Sequence, residues 1–290
     1  MKIGVDSYSF HRFFGEIYPG QKDPGIIWNL RDFINHVSKL PIEALAFETC
    51  FLPSREEEII HATRLLNVEM MFAWGHPDGF MGSTHEEALS EIKKYLLLSK
   101  KLGFRVMRIV GSSIAHFREP HGPQVKLVER HLRKIIPIAE DCGVELSIEN
   151  HADFYITELL EILSDIDSPF LGVTLDTGNC LRLREDPVKA IRLFKEKVSV
   201  VHAKDVAPIS GLDSKDPMSL GCVPAGEGIT DFKSIIAALD EINYRGMILI
   251  ELSRLHPNYE SIDETQVIDR SLSYLYKNRK DRGWDDAKSR

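Results

Sequence analysis

Residues 171–179 read LGVTLDTGN, a largely apolar segment that ends on an acid, a hydroxyl, a glycine and an amide. Comparable segments, which we predict to be strands, recur along the chain at 2–10, 43–50, 68–75, 105–113, 144–150, 198–205 and 246–253. Segments with helical periodicity separate them, at 26–40, 55–66, 86–103, 125–143, 155–164, 186–196, 231–242 and 261–276. Strands that alternate with helices pair in parallel, and eight such units predict an α/β fold, a single (β/α)8 TIM barrel.

The domain organisation follows from the length of the chain. We predict one catalytic barrel domain over residues 1–280 and a mobile C-terminal tail at 281–290. A doubly wound sheet is the alternative, but no GxGxxG motif follows the first strand. The N-terminus, MKIGVDSYSF, has no apolar leader, and no apolar run approaches the roughly 20 residues of a membrane span. We therefore expect a cytoplasmic protein with no membrane partner.

Composition restricts the partners. The formal net charge of −8 would repel a phosphate backbone, so no nucleic-acid partner is expected. The four cysteines have no CxxC spacing, which argues against a structural zinc site or a disulfide framework. The aromatic-rich segment 11–20, HRFFGEIYPG, predicts either a lid over the site or a surface that a partner subunit covers in a homo-oligomer.

The ends of the last four predicted strands carry residues that can bind a metal. In a (β/α)8 barrel the active site lies at the carboxyl ends of the strands. Glu149, Asp176, His202 and Glu251 stand at four consecutive ends. Three carboxylates in a dry barrel mouth cannot all stay ionised without a cation. Three oxygen ligands and one imidazole predict one divalent metal ion, with Mn²⁺ favoured and Co²⁺, Mg²⁺ or Zn²⁺ as alternatives.

Each of these residues also has a purely structural interpretation. Asp176 is placed to cap a helix or to form a turn, and His202 is placed to be a hydrogen-bonded core histidine. Four separate structural roles at four consecutive strand ends are a poorer explanation than one shared metal site.

Five motifs, LSIEN, TLDTGN, VVHAKD, AGEGITDF and ILIELS, occur in this order between residues 146 and 253. Together they resemble the xylose isomerase-like barrel superfamily, which includes the sugar phosphate isomerases and epimerases. The resemblance implies that Glu149, Asp176, His202 and Glu251 hold the metal. It also implies that Glu149 and Glu251 act as the catalytic acid and base.

Three positions of this sequence differ from the motifs of this group and limit which of its activities we expect. Ketose 3-epimerases that resemble this chain have a histidine where Asn179 stands and an arginine where Pro208 stands. The three-metal abasic-site endonucleases of the group have a metal-binding histidine where Cys222 stands. We therefore expect one metal rather than three, and the resemblance leaves the substrate open.

The expected activity is that of a divalent-metal-dependent isomerase or epimerase acting on a small sugar, keto-sugar or sugar acid. The metal would stabilise an enediolate while the two glutamates transfer the proton. A lyase that decarboxylates a 3-oxo sugar acid or dehydrates its substrate reaches the same kind of intermediate and is the first alternative. A metal-dependent endonuclease and a sugar-binding barrel without catalytic activity are the others.

Further polar and aromatic residues at the strand ends are candidate substrate-binding residues. They are Glu48, Trp74, His76, Arg108, Asn179, Lys204, Glu227 and Arg254. Structural alternatives remain: Arg108 could pair with Glu48 or Asp6 inside the barrel, and Glu227 could cap the helix at 231. The loop from 205 to 230 contains only one lysine or arginine, Lys215. This shortage of positive charge favours a substrate without a phosphate group.

Overall fold

A computed structural model describes residues 1–75, 79–82, 85–259 and 261–281. Eight parallel strands close into a barrel, each paired with its neighbours, and the last pairs with the first. In chain order they are β1 (Lys2–Asp6), β2 (Ala44–Glu48), β3 (Glu69–Trp74), β4 (Val106–Val110), β5 (Glu145–Glu149), β6 (Leu171–Asp176), β7 (Val198–Ala203) and, after a short hairpin, β10 (Met247–Ile250). The predicted barrel is confirmed, and an open doubly wound sheet is excluded.

Helices follow the strands around the outside of the barrel. They are α1 (Leu30–Val37), α2 (Glu56–Thr63), α3 (Gly79–Gly82), α4 (His85–Leu102), α5 (His121–Cys142), α6 (Ile156–Ile166), α7 (Thr177–Arg182), α8 (Pro187–Phe194), α9 (Phe232–Glu241) and α10 (Glu264–Asp281). Of the residues that the structure describes, no helix is both long and apolar enough to cross a membrane. The predicted tail at 281–290 lies outside the described residues after position 281.

The first helix is shorter than the periodicity predicts. Asn29 accepts hydrogen bonds from the backbone N–H groups of Arg31 and Asp32 and forms a capping box, so the helix begins at Leu30 rather than at 26. Ile26 therefore precedes the cap, and its side chain is 52% exposed. The apolar periodicity continues on both sides of Asn29, so the prediction placed the start of the helix too early.

Two elements near the barrel mouth were not predicted. The helix α7 follows β6 without a loop, because Asp176 caps it by accepting a hydrogen bond from the Asn179 N–H. After β7 the chain forms an antiparallel hairpin of β8 (Asp205–Pro208) and β9 (Leu220–Val223). The predicted strands at 171–179 and 198–205 extended past the observed strand ends, Asp176 and Ala203, into the helix and the hairpin.

The interior of the barrel changes from apolar to polar along the strands. A small cluster of buried apolar residues, separate from the main core between barrel and helices, contains Ala44, Ala46, Met71, Val200, Met247 and Leu249. Side chains alternate across a strand, so the residue two positions later faces the same side. Glu48 follows Ala46 in this way, His202 follows Val200 and Glu251 follows Leu249. The polar side chains at the barrel mouth therefore lie next to this apolar cluster in the barrel interior.

Candidate active site

The four predicted metal ligands converge at the barrel mouth. Glu149, Asp176, His202 and Glu251 each offer one ligand atom, and these four atoms lie within 4.8 Å of one another. All four residues are buried. Three consecutive strands, β5 to β7, and the neighbouring β10 supply them, which is why residues distant in sequence meet here.

The polar atoms of this cluster are buried and only partly hydrogen-bonded. One oxygen each of Glu149, Asp176 and Glu251, together with Nδ1 of His202, accepts or donates no hydrogen bond within the described residues, although the three oxygens lie in ion-pair contact with Arg108, Lys204 and His202 respectively. Buried polar atoms are almost always hydrogen-bonded, ion-paired or bound to an ion. A cation bound between the four residues would supply a partner for these atoms.

His202 is oriented so that Nδ1 faces the cluster. Its Nδ1 lies 3.7 Å from Glu149 Oε1 and 3.9 Å from Asp176 Oδ2, and it contacts Glu251 Oε2 closely. Its other nitrogen, Nε2, lies 3.7 Å from Oδ2 of Asp6. A carboxylate behind a histidine ligand typically fixes the ring orientation. Asp6, at the end of β1, is a residue that the sequence analysis did not select for the site.

Carboxylates outnumber basic side chains at the mouth. The buried carboxylates are Asp6, Glu48, Glu149, Asp176 and Glu251, and the buried Lys and Arg side chains among them are Lys204 and Arg108. Burial raises the pKa of Asp6 to about 6 and that of Glu48 well above its ordinary value, so the five are not all ionised together. A bound divalent cation would favour the ionised form of such a cluster.

Arg108 lies inside the barrel and pairs with two glutamates. Its Nε is 3.0 Å from Glu149 Oε2, its Nη2 contacts Glu48 closely, and its Nη1 donates to the Trp74 carbonyl at 3.3 Å. The side chain is 3% exposed. Arg108 therefore pairs with Glu48, as the structural alternative predicted. It contacts Glu149 inside the barrel and does not line the cavity.

Lys204 bridges two of the candidate ligands. Its Nζ lies 2.6 Å from Asp176 Oδ2 and 3.1 Å from Glu251 Oε1. Burial acts to lower the pKa of Lys204, but the two carboxylates raise the pKa above its ordinary value. The side chain therefore stays protonated and holds Asp176 and Glu251 together.

The two candidate acid–base groups are held in their ionised form. Burial acts to raise the pKa of Glu149, but Arg108 and His202 bring it down to about 2. Burial acts in the same direction on Glu251, and Lys204 and His202 hold the pKa of that carboxyl well below its usual range. Both carboxylates are thus available to accept a proton.

An open cavity of about 370 Å³ lies over the cluster. Its polar lining includes three of the predicted residues, Asn179, Lys204 and Arg254, beside Glu251. Its remaining lining residues are Tyr8, Tyr18, Pro19, Ile114, His151, Ala152, Arg182, Met218, Leu220 and Ser253. This volume suits a small ligand.

Asn179 connects the cavity with the cluster. Its Nδ2 donates to Glu149 Oε1 at 3.3 Å, and its backbone N–H donates to Asp176 Oδ1 at 2.7 Å. The residue is buried and stands in the first turn of α7. The helix that the sequence analysis missed therefore places an amide between Glu149 and the cavity.

Several predicted substrate-binding residues do not line the cavity. The side chain of Trp74 is buried and donates to Glu91 at 2.8 Å. Glu227 is bound at the surface by Tyr259 and Arg270 at 2.9 and 2.5 Å. Neither residue lines the cavity, and their roles as substrate-binding residues stay predictions. His76 lies outside the described residues.

Asp205, rather than Glu227, organises the segment that contains the GEG motif. Its Oδ2 accepts from the N–H groups of Gly226 and Gly228 at 2.8 and 3.0 Å, and its Oδ1 accepts from Thr230 at 3.0 Å. The helix α9 that follows is capped by Asp231, not by Glu227.

Comparison with known proteins agrees with this architecture. The family model "Xylose isomerase-like TIM barrel" matches residues 52–278. A 3-oxo-isoapionate decarboxylase of Pectobacterium atrosepticum is 30% identical over 65% of this chain and 68% of its own length. SgbU of Escherichia coli (strain K12), to which L-ribulose-5-phosphate 3-epimerase activity is ascribed, is 26% identical over 64% of each chain.

Solved structures extend the similarity to nearly the whole chain. The IolI protein, solved with a bound zinc atom, superposes with a TM-score of 0.72 and 17% identity over 96% of this chain and 98% of that chain. At such identity the likeness shows the fold alone. The family model covers well over half of the sequence, and the chain belongs to the xylose isomerase-like TIM barrel family.

Proposed function

We propose that this protein is a divalent-metal-dependent isomerase or epimerase of a small sugar or sugar derivative. The observation that supports the proposal best is the buried cluster of Glu149, Asp176, His202 and Glu251, whose candidate ligand atoms lie within 4.8 Å of one another below an open cavity. The cytoplasmic location expected from the sequence remains a prediction.

One metal ion would be held by the three carboxylates and by Nδ1 of His202. Carboxylates and imidazole together suit Mn²⁺, which we favour, with Co²⁺, Mg²⁺ and Zn²⁺ as the other candidates. When bound, the ion would supply positive charge that polarises a carbonyl group and a neighbouring oxygen of the substrate. The zinc atom in the IolI structure supports a divalent ion in this fold.

Glu149 and Glu251 would transfer the proton. They belong to different sides of the cluster, since β6 and β7 separate β5 from β10 in the barrel wall. One carboxylate would take the proton from the carbon beside the carbonyl and become a carboxylic acid. The other, which must enter the step protonated, would give its proton to the neighbouring carbon or to the opposite face of the same carbon. The first outcome is isomerisation and the second is epimerisation.

The surrounding residues would keep these groups in position. Arg108 and Asn179 both contact Glu149, and Lys204 contacts Glu251. These contacts limit the rotation of the two carboxylates. A base that is held in one orientation near its carbon acid contributes to the rate by proximity as well as by charge.

A lyase is the second candidate, because the decarboxylase from Pectobacterium atrosepticum is among the most similar relatives. Both reactions need a base beside a polarised carbonyl. They differ in their products, since only a lyase releases CO₂ or water.

Deuterium exchange tests the proposal directly. Metal-loaded protein is incubated in D₂O with four- to six-carbon ketoses and 3-oxo sugar acids, and loss of the C–H signal is followed by NMR. We expect Glu149→Gln or Glu251→Gln to slow the exchange by about 10²- to 10⁴-fold, because each removes a proton-transfer group. Glu145→Gln is the matched control, since Glu145 stands at the opposite end of β5.

Two outcomes would decide against the isomerase. Exchange at the wild-type rate in both glutamine variants would remove the two glutamates from the mechanism. Stoichiometric release of CO₂ or water would assign the protein to the lyases.

A further inference from the structure

One arginine at the mouth forms no ion pair with the residues that the structure describes. Arg254 stands three residues after Glu251 and lines the same cavity. Its Nε is buried and has no hydrogen bond within the described ranges. Arg108 and Lys204, by contrast, each contact two carboxylates. The charge of Arg254 is therefore open to neutralisation by a ligand.

Two other nitrogen-containing side chains of the cavity lining are also only partly paired within the described residues. Arg182, at the end of α7, donates one hydrogen bond to the Pro217 carbonyl at 2.7 Å and pairs with no carboxylate among the described residues. His151 has a buried Nδ1 without a hydrogen-bond partner in the described part of the chain. Arg254, Arg182 and His151 together form what we call the basic rim of the cavity.

The usual phosphate-binding position of this fold is occupied by a side chain. In (β/α)8 barrels, phosphate groups often bind at the loops after the seventh and eighth strands. Here the backbone N–H groups of Gly226, Gly228 and Thr230, which follow the seventh barrel strand, all donate to the carboxylate of Asp205. That loop therefore has these donors already satisfied. The basic rim, in contrast, offers cationic side chains that an anion in the cavity can contact.

The structure assigns the basic rim to a carboxylate, and we propose that the substrate is a sugar acid whose carboxylate binds Arg254. This inference rests on the proposed function and names its substrate class. The planar guanidinium fork of arginine matches the two oxygens of a carboxylate. Glu251, three residues earlier, places the reacting part of the same molecule beside the candidate metal ligands.

Binding measurements with matched probes test the inference. Metal-loaded protein is titrated calorimetrically with four- to six-carbon aldonates, with the ketoses of equal length, and with the phosphate esters of those ketoses. We expect the best aldonate to bind at least about tenfold more tightly than the best ketose. Arg254→Gln should weaken aldonate binding by about 10- to 100-fold and leave ketose binding within about twofold.

Controls separate this inference from the proposed function. Arg64→Gln removes an exposed arginine at the C-terminus of α2, and it should bind all probes like the wild type. Metal content is measured for every variant, because Arg254→Gln should keep the metal. A wild type that holds no metal would overturn the proposed function. The results in the next paragraph would overturn only the assignment of a sugar acid as the substrate.

Three results would overturn the assignment of a carboxylate. Aldonates that bind no more tightly than ketoses would show that the basic rim recognises no acid. An equal loss of aldonate and ketose binding in Arg254→Gln would show a structural role for the arginine. A selective loss of phosphate-ester binding would show that the rim binds a phosphate group.

Discussion

Replacing Arg108 by methionine tests whether the polar network below the cavity depends on this buried charge. The guanidinium is 3% exposed and contacts both Glu48 and Glu149. Arg108→Met preserves much of the volume and leaves these two carboxylates buried without their cation. Breaking a buried ion pair from one side typically costs about 3 to 5 kcal/mol.

This cost can be converted to a melting temperature. An unfolding entropy of about 2.1 cal/mol/K per residue gives about 0.6 kcal/mol/K for the 290-residue chain. The variant should therefore melt about 5 to 8 °C below the wild type. The assay is thermal unfolding of the metal-free protein, followed by circular dichroism at low ionic strength.

A second substitution makes the test specific for charge. Glu48→Gln removes one of the two carboxylates that Arg108 compensates, so the double variant should melt above Arg108→Met alone. A melting temperature of Arg108→Met within 1 °C of the wild type (about 0.6 kcal/mol by the same conversion) would refute the reasoning. A double variant that loses the full sum of the two single effects would refute it equally, since the charges would then be uncoupled.

Two further predictions concern the segment that contains the GEG motif. Asp205→Ala should lower the free energy of unfolding by about 2 to 4 kcal/mol in urea titrations, because backbone donors that Asp205 satisfies lose their acceptor; an unchanged urea midpoint would contradict this. Gly226→Ala should destabilise more than Gly103→Ala: both glycines have a positive φ, +87° and +77°, but only at Gly226 would the new Cβ lie 2.3 Å from the Tyr274 ring. Equal unfolding free energies for the two variants would show that the ring moves aside freely.

The sequence predicted the barrel and the four candidate ligands for one physical reason. Parallel strands end at the same rim, so polar residues that terminate successive strands must meet. Asp176 shows that the structural and the functional interpretation are compatible: one oxygen caps α7, while the other pairs with Lys204 and faces His202. The cap was treated as the alternative to a ligand, although a carboxylate has two oxygens.

The sequence could not predict which strand residues face the barrel interior below the rim. That depends on where each strand begins, and a shift by one residue turns a side chain from inside to outside. Arg108 and Trp74 were therefore both taken as substrate-binding residues, whereas Arg108 pairs inside the barrel and Trp74 is buried against Glu91. Asp6 was passed over for the site because its partner, His202, lies on a distant part of the sequence.

Loop contacts were the least predictable part of the site. Glu227 belongs to a motif shared with related sequences, but Tyr259 and Arg270 bind it at the surface. Asp205 holds the backbone of that loop instead. Such contacts depend on the path of the β8–β9 hairpin, which no periodicity in the sequence indicated.

The metal content of the purified protein tests the central claim most directly. Elemental mass spectrometry of the wild type, after reconstitution with Mn²⁺, Co²⁺, Mg²⁺ or Zn²⁺ and removal of free ion, should find about one equivalent of one of them. Asp176→Asn removes a ligand charge and one of the two carboxylates that pair with Lys204, but it keeps an oxygen that can cap α7 and leaves Glu251 beside Lys204. Circular dichroism confirms that the variant is folded, and it should then retain far less metal. A wild type without bound metal, or an Asp176→Asn variant that holds as much as the wild type, would contradict the account.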